Sequence, residues 1–321
     1  MKLQIFLLCY NHQDFIERNI YSLLNQRTNF NYEILVHDDA SNDLSVKVIN
    51  KIISQYPENI KLIRSFKNIG IARALLKLYD YSKADYLVLM DGDDYWTNTN
   101  KLQTQIDFLD ANPEYVASCH DVKIESHINI NESNSLAKKQ SKSFHKYISQ
   151  FTTYYGDTIE AYQLLEGKTY IQNCSLVWRR FDLIPYLNTL SKANFNLDWY
   201  FSVVLASKGK IQYINEPWSV YVDHKGGETK KVYFHSYLKD KIYLLKSLLK
   251  NDFYKPLYFR YKLYDLISKN YYGLVVMETT SKKTTVFILK NTFYSVWNTF
   301  LKSFWFCIYV LVYFKQLKQQ K

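Results

Sequence analysis

Three carboxylates fall within four residues at Asp91-Gly92-Asp93-Asp94, directly after the apolar run DYLVLM. Like charges this close repel unless a cation sits among them, and hard oxygen ligands suit Mg²⁺ or Mn²⁺. Such an ion keeps a few carboxylate contacts and takes its other ligands from substrate phosphates and water. Gly92 lets the chain turn tightly, so that the alternate carboxylates Asp91 and Asp93 converge. A bare D-x-D also describes many solvated turns, and the preceding strand-like run is what points this one to chemistry. Asp38 and Asp39 end another apolar run and offer acceptors for a nucleobase N–H or ribose hydroxyls. With Ser41 they equally suit the start of a helix, where acidic and capping side chains are favoured. Asn68-Ile69-Gly70 is followed by Arg73, which is placed to meet a phosphate or simply to stay at the surface.

These residues need elements to carry them. The first hundred residues alternate short β-rich runs with longer amphipathic stretches, the pattern of βαβ units with a parallel sheet. The spacing predicts strands at KLQIFLLCY, YEILVH, KLIRS and DYLVLM, and helices at DFIERNIYSLLNQ, SVKVINKIISQY and IARALLKLYDYS. KLQTQIDFLDANPEY reads as a further helix that stops near Asn112, because Pro113 cannot continue it. Strands are expected again at YIQNCSLVW and KIQYINEPWSVYV, with a mobile loop or insertion over the polar residues 126–150. From Thr229 to about Tyr272 the pattern is helical. Ligands of an open parallel sheet bind beyond the carboxyl ends of its strands. Tyr10-Asn11-His12 closes the first strand, Asp38 to Ser41 the second and Asp91 to Asp94 the fourth, so three strands deliver polar side chains to one edge.

The 321 residues are 47% hydrophobic, enough for one large domain of about 200 to 250 residues with an appendage. Cys9, Cys119, Cys174 and Cys307 stand far apart without a C-x-x-C pair, and read as reduced thiols of a cytosolic protein. The apolar run Leu3 to Tyr10 is interrupted by Asn11 to Asp14, which fits a first strand better than a signal peptide. The formal charge is +11, and residues 251–321 hold 11 Lys/Arg against Asp252, Asp265 and Glu278, so 11 − 3 = +8. That excess suits an anionic membrane surface or nucleic acid, or else solvated helix faces. The run SFWFCIYVLVYF, residues 303–314, is shorter than the roughly 20 residues that span a bilayer. Its aromatics, with Lys315, Lys318 and Lys321, fit an interfacial in-plane anchor; a core-packed helix is the other reading.

Taken jointly, LLCYNHQDFI, EILVHDDASND, FKNIGIA, DYLVLMDGDDYW and KLQTQIDFLDANPEY resemble, in order and spacing, the inverting glycosyltransferase family 2, which has the GT-A fold. The match is clear to about residue 120 and looser through YINEPWSVYVDHKGG, to about residue 227. The resemblance implies that Cys9, Tyr10 and Asn11, with Asp39, hold the base of a nucleotide sugar, UDP-linked by default. It implies that Asp91 and Asp93 handle the diphosphate and its Mn²⁺ or Mg²⁺, with Asp93 the direct ligand. Family members often carry Pro-Thr before the Tyr-Asn, where Leu8-Cys9 stands here, so position 9 is expected to act through its backbone. The family base is an Asp following Glu or Gly; Asp198, after Leu197, takes that place as general base, with a helix cap as the plainer reading. Trp199 or Trp96 is expected to stack on a sugar face, or else to be a buried aromatic. Tyr221 to Gly227 matches a family-like Tyr-x-x-His-x-Gly-Gly, making His224 a contact to diphosphate or metal, or else a loop histidine.

The expected protein is thus α/β: a GT-A domain over residues 1–228, with a Rossmann-like, mainly parallel sheet flanked by helices, and a basic, aromatic-rich helical extension over 229–321. The resemblance implies an inverting, hexosyltransferase-type enzyme that uses a nucleotide-sugar donor and a glycan or lipid-linked glycan acceptor of a growing surface polysaccharide. Its expected place is cytoplasmic, peripheral on the inner face of the cell membrane. Two alternatives remain. A sugar-phosphate nucleotidyltransferase shares the α/β domain and carboxylates, but grips its triphosphate with a glycine- and arginine-rich loop where Asn11-His12-Gln13-Asp14 stands. A non-catalytic basic protein would bind membrane or nucleic acid. RNA recognition interleaves aromatics with Lys/Arg on a sheet, whereas this excess lies in a helical tail, so no nucleic-acid partner is expected.

Overall fold

LQIFLLC, the first strand β1 (Leu3–Cys9), is buried along its whole length, as a near-continuous apolar run requires of a strand covered on both faces. The structure is a computed structural model that describes residues 1–127, 157–167, 170–227, 234–280, 292–305 and 307. Strands β2 (Tyr32–Asp38) and β4 (Tyr86–Asp91) flank β1 in parallel, and β3 (Ile60–Arg64) pairs with β2. The crossovers carry α1 (Ile16–Leu24), α2 (Ser45–Ile53) and α3 (Ile71–Tyr81). Ile16, Ile20 and Leu23 of α1 and Ile49 and Ile52 of α2 join Ile5, Leu7, Val36 and Val88 in one core cluster. Because β2 lies on one side of β1 and β4 on the other, the sheet changes its direction of growth there. The crevice at the carboxyl ends of β1 and β4 is therefore the ligand position of an open α/β sheet.

The second half of the sheet is mixed. Beyond β4 come β8 (Val177–Arg179), antiparallel, then β6 (Tyr115–Ser126), β9 (Lys210–Asp223) and β5 (Tyr95–Trp96), with β7 (Thr158–Ile159) also paired to β9. Helix α4 (Lys101–Ala111) ends just before Pro113, as expected. The short helices α5 (Ala161–Leu165) and α6 (Ile184–Leu190) complete the connections. Two features differ from the sequence expectation. The strand expected over residues 170–178 shrinks to β8, because Asn173–Ser175 form a 3₁₀ turn in which Ser175 Oγ donates to the Gln172 carbonyl at 2.8 Å, competing with a ladder. Strand β6 went unanticipated because its partners are distant: its register with β9 breaks between His120 and Asp121, where Pro217 sits opposite and lacks a donor. The loop expected at 126–150 lies outside the described residues except for Ser126, which ends β6, and His127.

The chain forms two compact units, Met1–Ser191 with Phe201–Lys230, and Lys192–Tyr200 with Lys231–Lys321. The first holds the sheet. The second holds the start of α7 (Leu197–Ala206), then α8 (Phe234–Leu248), α9 (Leu257–Thr280) and α10, residues 292–305. Most of the apolar run 303–314 lies outside the described residues. No helix among the described residues is long and apolar enough to cross a membrane.

Candidate active site

The acidic turn sits at the end of β4, beside the end of β1, and helix α1 fastens it. Asn19, fully buried, donates from Nδ2 to the carbonyls of Asp91 at 2.9 Å and Asp94 at 2.8 Å. The Gly92 N–H donates to the Leu8 carbonyl at 2.9 Å. A Cβ on Gly92 would lie 2.8 Å from that carbonyl and 2.6 Å from His12 Nδ1. Close approach of β1, rather than a special backbone angle, is thus what requires glycine.

The three carboxylates separate. Asp94 is buried, with Oδ1 accepting the Val222 N–H at 3.0 Å. Burial first, then the charges of Asp93 and Asp91, push its carboxyl well above the usual range, which favours the neutral acid. The mutual repulsion is therefore relieved in part by burying one member, a role the sequence had assigned wholly to a cation. Asp93 behaves oppositely. Burial opposes its ionisation, but the hydrogen bond from His224 and the charges of His12 and His224 hold its carboxyl below the usual range. His224 Nε2 lies 3.0 Å from Asp93 Oδ2 and His12 Nε2 lies 3.9 Å from the same oxygen. The Phe15 ring packs on His224 at 4.5 Å. Strand β9 delivers His224, since β5 pairs with Val220 and Ser219 just ahead of it. Asp91 reaches out of β4, and Asn173 Nδ2 approaches its Oδ2 at 3.4 Å.

This donor set fits a divalent cation. An ionised carboxylate and an imidazole are ligands Mn²⁺ accepts, and their 3.0 Å separation matches adjacent ligands on an octahedral ion with bonds of about 2.1 Å. Among the described residues no three His, Cys, Asp or Glu side chains form a ready metal cage, so Asp93 and His224, with Asp91, would share the ion with phosphate and water.

Beside the turn, the loops after β1, β2 and β3 are tied together. Asn11, with φ 58°, donates its N–H to Ser41 Oγ at 3.0 Å and accepts the Asn42 N–H at Oδ1, 2.9 Å. Asp39 is buried, and its two oxygens each accept a backbone N–H at 2.8 Å, from Ile69 and Gly70. Asp39 therefore positions the Asn68-Ile69-Gly70 loop, and the lone pairs left over are what a base or ribose would use. Cys9 is buried and its thiol is pushed up to about 12 by burial, so no thiolate acts there. Tyr10 and Asn68 are exposed, as is Arg73, whose Nη1 donates to the Ile69 carbonyl at 3.4 Å.

Asp198 and Trp199 lie in the second unit. Asp198 stands in the first turn of α7, where a negative side chain complements the helix dipole. Trp199 is buried, with Lys241 Nζ 2.9 Å from its ring centroid, so that face is not open to a sugar. Trp96 follows the buried-aromatic alternative likewise: it lies beneath Lys101 at 4.2 Å, and its Nε1 donates to the Cys174 carbonyl at 2.7 Å. Asn19 and Asn173 escaped selection in the sequence, where nothing local marks them, and His12 was placed at the sheet edge without a role of its own.

The model of glycosyl transferase family 2 matches residues 4–183, more than half of the chain, and the chain belongs to that family. An uncharacterized protein of Mycobacterium tuberculosis is 28% identical over 227 residues, covering 70% of this chain and 60% of that protein; the match thus spans less than two thirds of that relative's length. The UDP-Glc:alpha-D-GlcNAc-diphosphoundecaprenol beta-1,3-glucosyltransferase WfaP of Escherichia coli is 35% identical over 107 residues, 33% of this chain and 41% of that protein. Among solved structures, S. aureus TarS 1–349 in complex with UDP superposes with a TM-score of 0.61 at 14% identity, covering 89% of this chain and 76% of that one. The mannosyltransferase PcManGT from Pyrobaculum calidifontis, in complex with GDP-Man and Mn²⁺, gives 0.53 at 14% identity, covering 96% and 86%. The fold shared with these structures is GT-A.

Proposed function

We propose that the protein is a glycosyltransferase that moves a hexosyl group from a nucleotide diphosphate sugar, UDP-linked by default, to an acceptor hydroxyl with inversion. The observation that carries the reading is the convergence of Asp93, His224 and His12 beside Asp91, at the carboxyl ends of β1 and β4. In this reading residues 1–228 bind the donor and perform the transfer, and 229–321 serve the acceptor side. Tyr10, Asn11 and the backbone at Cys9 meet the base, with Asp39 holding the loop that carries Asn68. Arg73, exposed beside that loop, meets a phosphate oxygen. Asp93 and His224, with Asp91, hold Mn²⁺ or Mg²⁺, which supplies charge neutralisation for the leaving diphosphate. Membership of the family supports Asp198 as the general base. Its carboxylate takes the acceptor proton while the acceptor oxygen bonds to the anomeric carbon and the bond from that carbon to the diphosphate oxygen breaks, a contribution of about 10²- to 10⁴-fold.

The name of the Escherichia coli relative specifies a lipid diphosphate acceptor. It supports a lipid-linked glycan for this chain, with a cytoplasmic place at the membrane and a part in surface polysaccharide synthesis. The loop after β1 argues against a nucleotidyltransferase: Gln13 spends its Oε1 on the Leu44 N–H at 3.0 Å and the loop has no glycine with which to wrap a triphosphate. Calorimetry with UDP-, GDP- and dTDP-sugars, with and without Mn²⁺, tests the proposal. Metal-dependent binding of one nucleotide class, lost in Asp93→Ala, is the expected result. A folded protein that binds none of them with metal present would end the transferase reading.

A further inference from the structure

Helix α10 exposes one face made almost wholly of aromatic side chains. Phe293, Val296, Trp297, Phe300 and Phe304 are each between 48% and 64% exposed, and their spacing of three, one, three and four puts them on one side of the helix. The opposite side is committed to α9. Lys302 Nζ donates to Asp265 Oδ1 at 2.7 Å, Ser268 Oγ donates to the Ser295 carbonyl at 3.1 Å, and Tyr294 stacks on Tyr271 with centroids 5.2 Å apart. These contacts fix the rotation of α10, so the aromatic face cannot turn inward without breaking an ion pair, a hydrogen bond and a stacked ring pair. Trp297 and Phe300 lie nearly parallel, 5.8 Å apart at 27°, and present a continuous apolar surface. Single exposed apolar residues are ordinary, but a contiguous patch marks an interaction surface.

We infer that this face of α10 docks the protein in the interfacial layer of an anionic membrane. A helix with one exposed apolar face and its other side held by α9 suits an in-plane position. Trp and Phe are typical of the apolar face that an interfacial helix buries at the headgroup boundary. Charge selects the partner. Residues 251–321 carry 11 − 3 = +8, which attracts anionic headgroups and repels a second copy of the same region. The docking rests on residues of the second unit alone and does not depend on the transferase reading.

Co-sedimentation of the full chain with vesicles tests the inference. One set is phosphatidylcholine alone, the other roughly a third phosphatidylglycerol, each at about 50 mM and about 0.5 M salt. The wild type is expected to sediment with the anionic vesicles and to be weakened by salt. Trp297→Ser with Phe300→Ser, both at exposed positions, is expected to reduce the bound fraction about tenfold while the thermal midpoint is kept. Phe300→Trp is expected to retain binding. Equal partitioning of wild type and double variant, or no binding by the wild type, would overturn the inference. So would a wild-type dimer in light scattering that the double variant converts to monomer, since the face would then belong to a second copy. Nucleotide binding is measured on the same samples. Its absence in a wild type that binds vesicles would strike the transferase reading and leave the docking standing.

Discussion

Asp93 and Asp94 are adjacent in sequence and opposite in environment. One is held ionised by two imidazoles and the other is driven toward the neutral acid inside the sheet. The acidic turn works only if the backbone keeps them pointing apart, and two small side chains do this. For Gly92→Ala, a Cβ 2.8 Å from the Leu8 carbonyl must push β1 and β4 apart. We expect about 1 to 3 kcal/mol of lost stability in urea denaturation and at least about a tenfold loss of metal-dependent nucleotide affinity by calorimetry. Asn19→Ala removes the donor to two turn carbonyls and should cost about 2 kcal/mol. Unchanged unfolding midpoints would show that the turn holds itself. The acidic cluster and its glycine were legible in DGDD. Asp93 was singled out only by the family resemblance, and the burial of Asp94 was not legible, because the partners that decide it, Val222 and His224, arrive from β9 and the residue that follows it.

At the level of elements, α4 carries a lysine where its packing face needs an apolar residue. Lys101 is fully buried, with Nζ donating to Gln105 Oε1 at 2.8 Å and lying 4.2 Å from the Trp96 ring centroid. Burial lowers its ammonium to about 7. The folded value lies below the unfolded value of about 10.4, so between those limits the unfolded chain holds a proton that the folded chain lacks. Stability therefore falls as pH drops from about 10 to about 7, by on the order of 4 kcal/mol from this group alone, and the full cost persists below that window. Lys101→Met should raise the thermal midpoint at neutral pH and flatten the difference across pH 7 to 10. Parallel pH profiles for variant and wild type would show that the lysine remains protonated in the fold. The extent of α4 was readable from Pro113 and the apolar spacing. The burial of Lys101 was not, since it depends on Trp96 and on the strands beneath the helix.

Across the whole molecule, the second compact unit begins within the sequence of the first. Residues 192–200 belong with the C-terminal helices: the N–H groups of Asn194 and Phe195 donate to Asp240 at 2.7 and 3.1 Å, Asn196 Nδ2 donates to the Tyr237 carbonyl at 3.2 Å, and Ser247 Oγ donates to Tyr200 Oη at 2.9 Å. A chain cut after residue 230 loses each of these partners as well as Lys241 over Trp199. Chymotrypsin should then cleave at Phe195, Trp199 or Tyr200 at least about ten times faster than in the full chain. Equal cleavage rates would mean that this stretch holds its conformation without the helices. Since Asp198 lies in the same stretch, the truncation should also lower transfer more than it lowers nucleotide binding.

The sequence by itself determined the βαβ order, the polar edge at the ends of the first, second and fourth strands, and the resemblance carried by residues 1 to about 120. Apolar periodicity and turn chemistry are local signals that read strands and helices within a few residues. It also marked Asp91 and Asp93 as candidates by type and spacing, and His224 through the family resemblance. Only the tertiary structure decided that His224 meets Asp93 across 131 positions, that Asn173 approaches Asp91 across 82, and that Asn19 fastens the turn from helix α1. It also buried Trp96 and Trp199. The reason is physical: the pairing of β9 with β5 and β6 and the covering of one face by another are long-range contacts, and no local period in the chain encodes which distant residue will fill a given neighbour's last hydrogen bond.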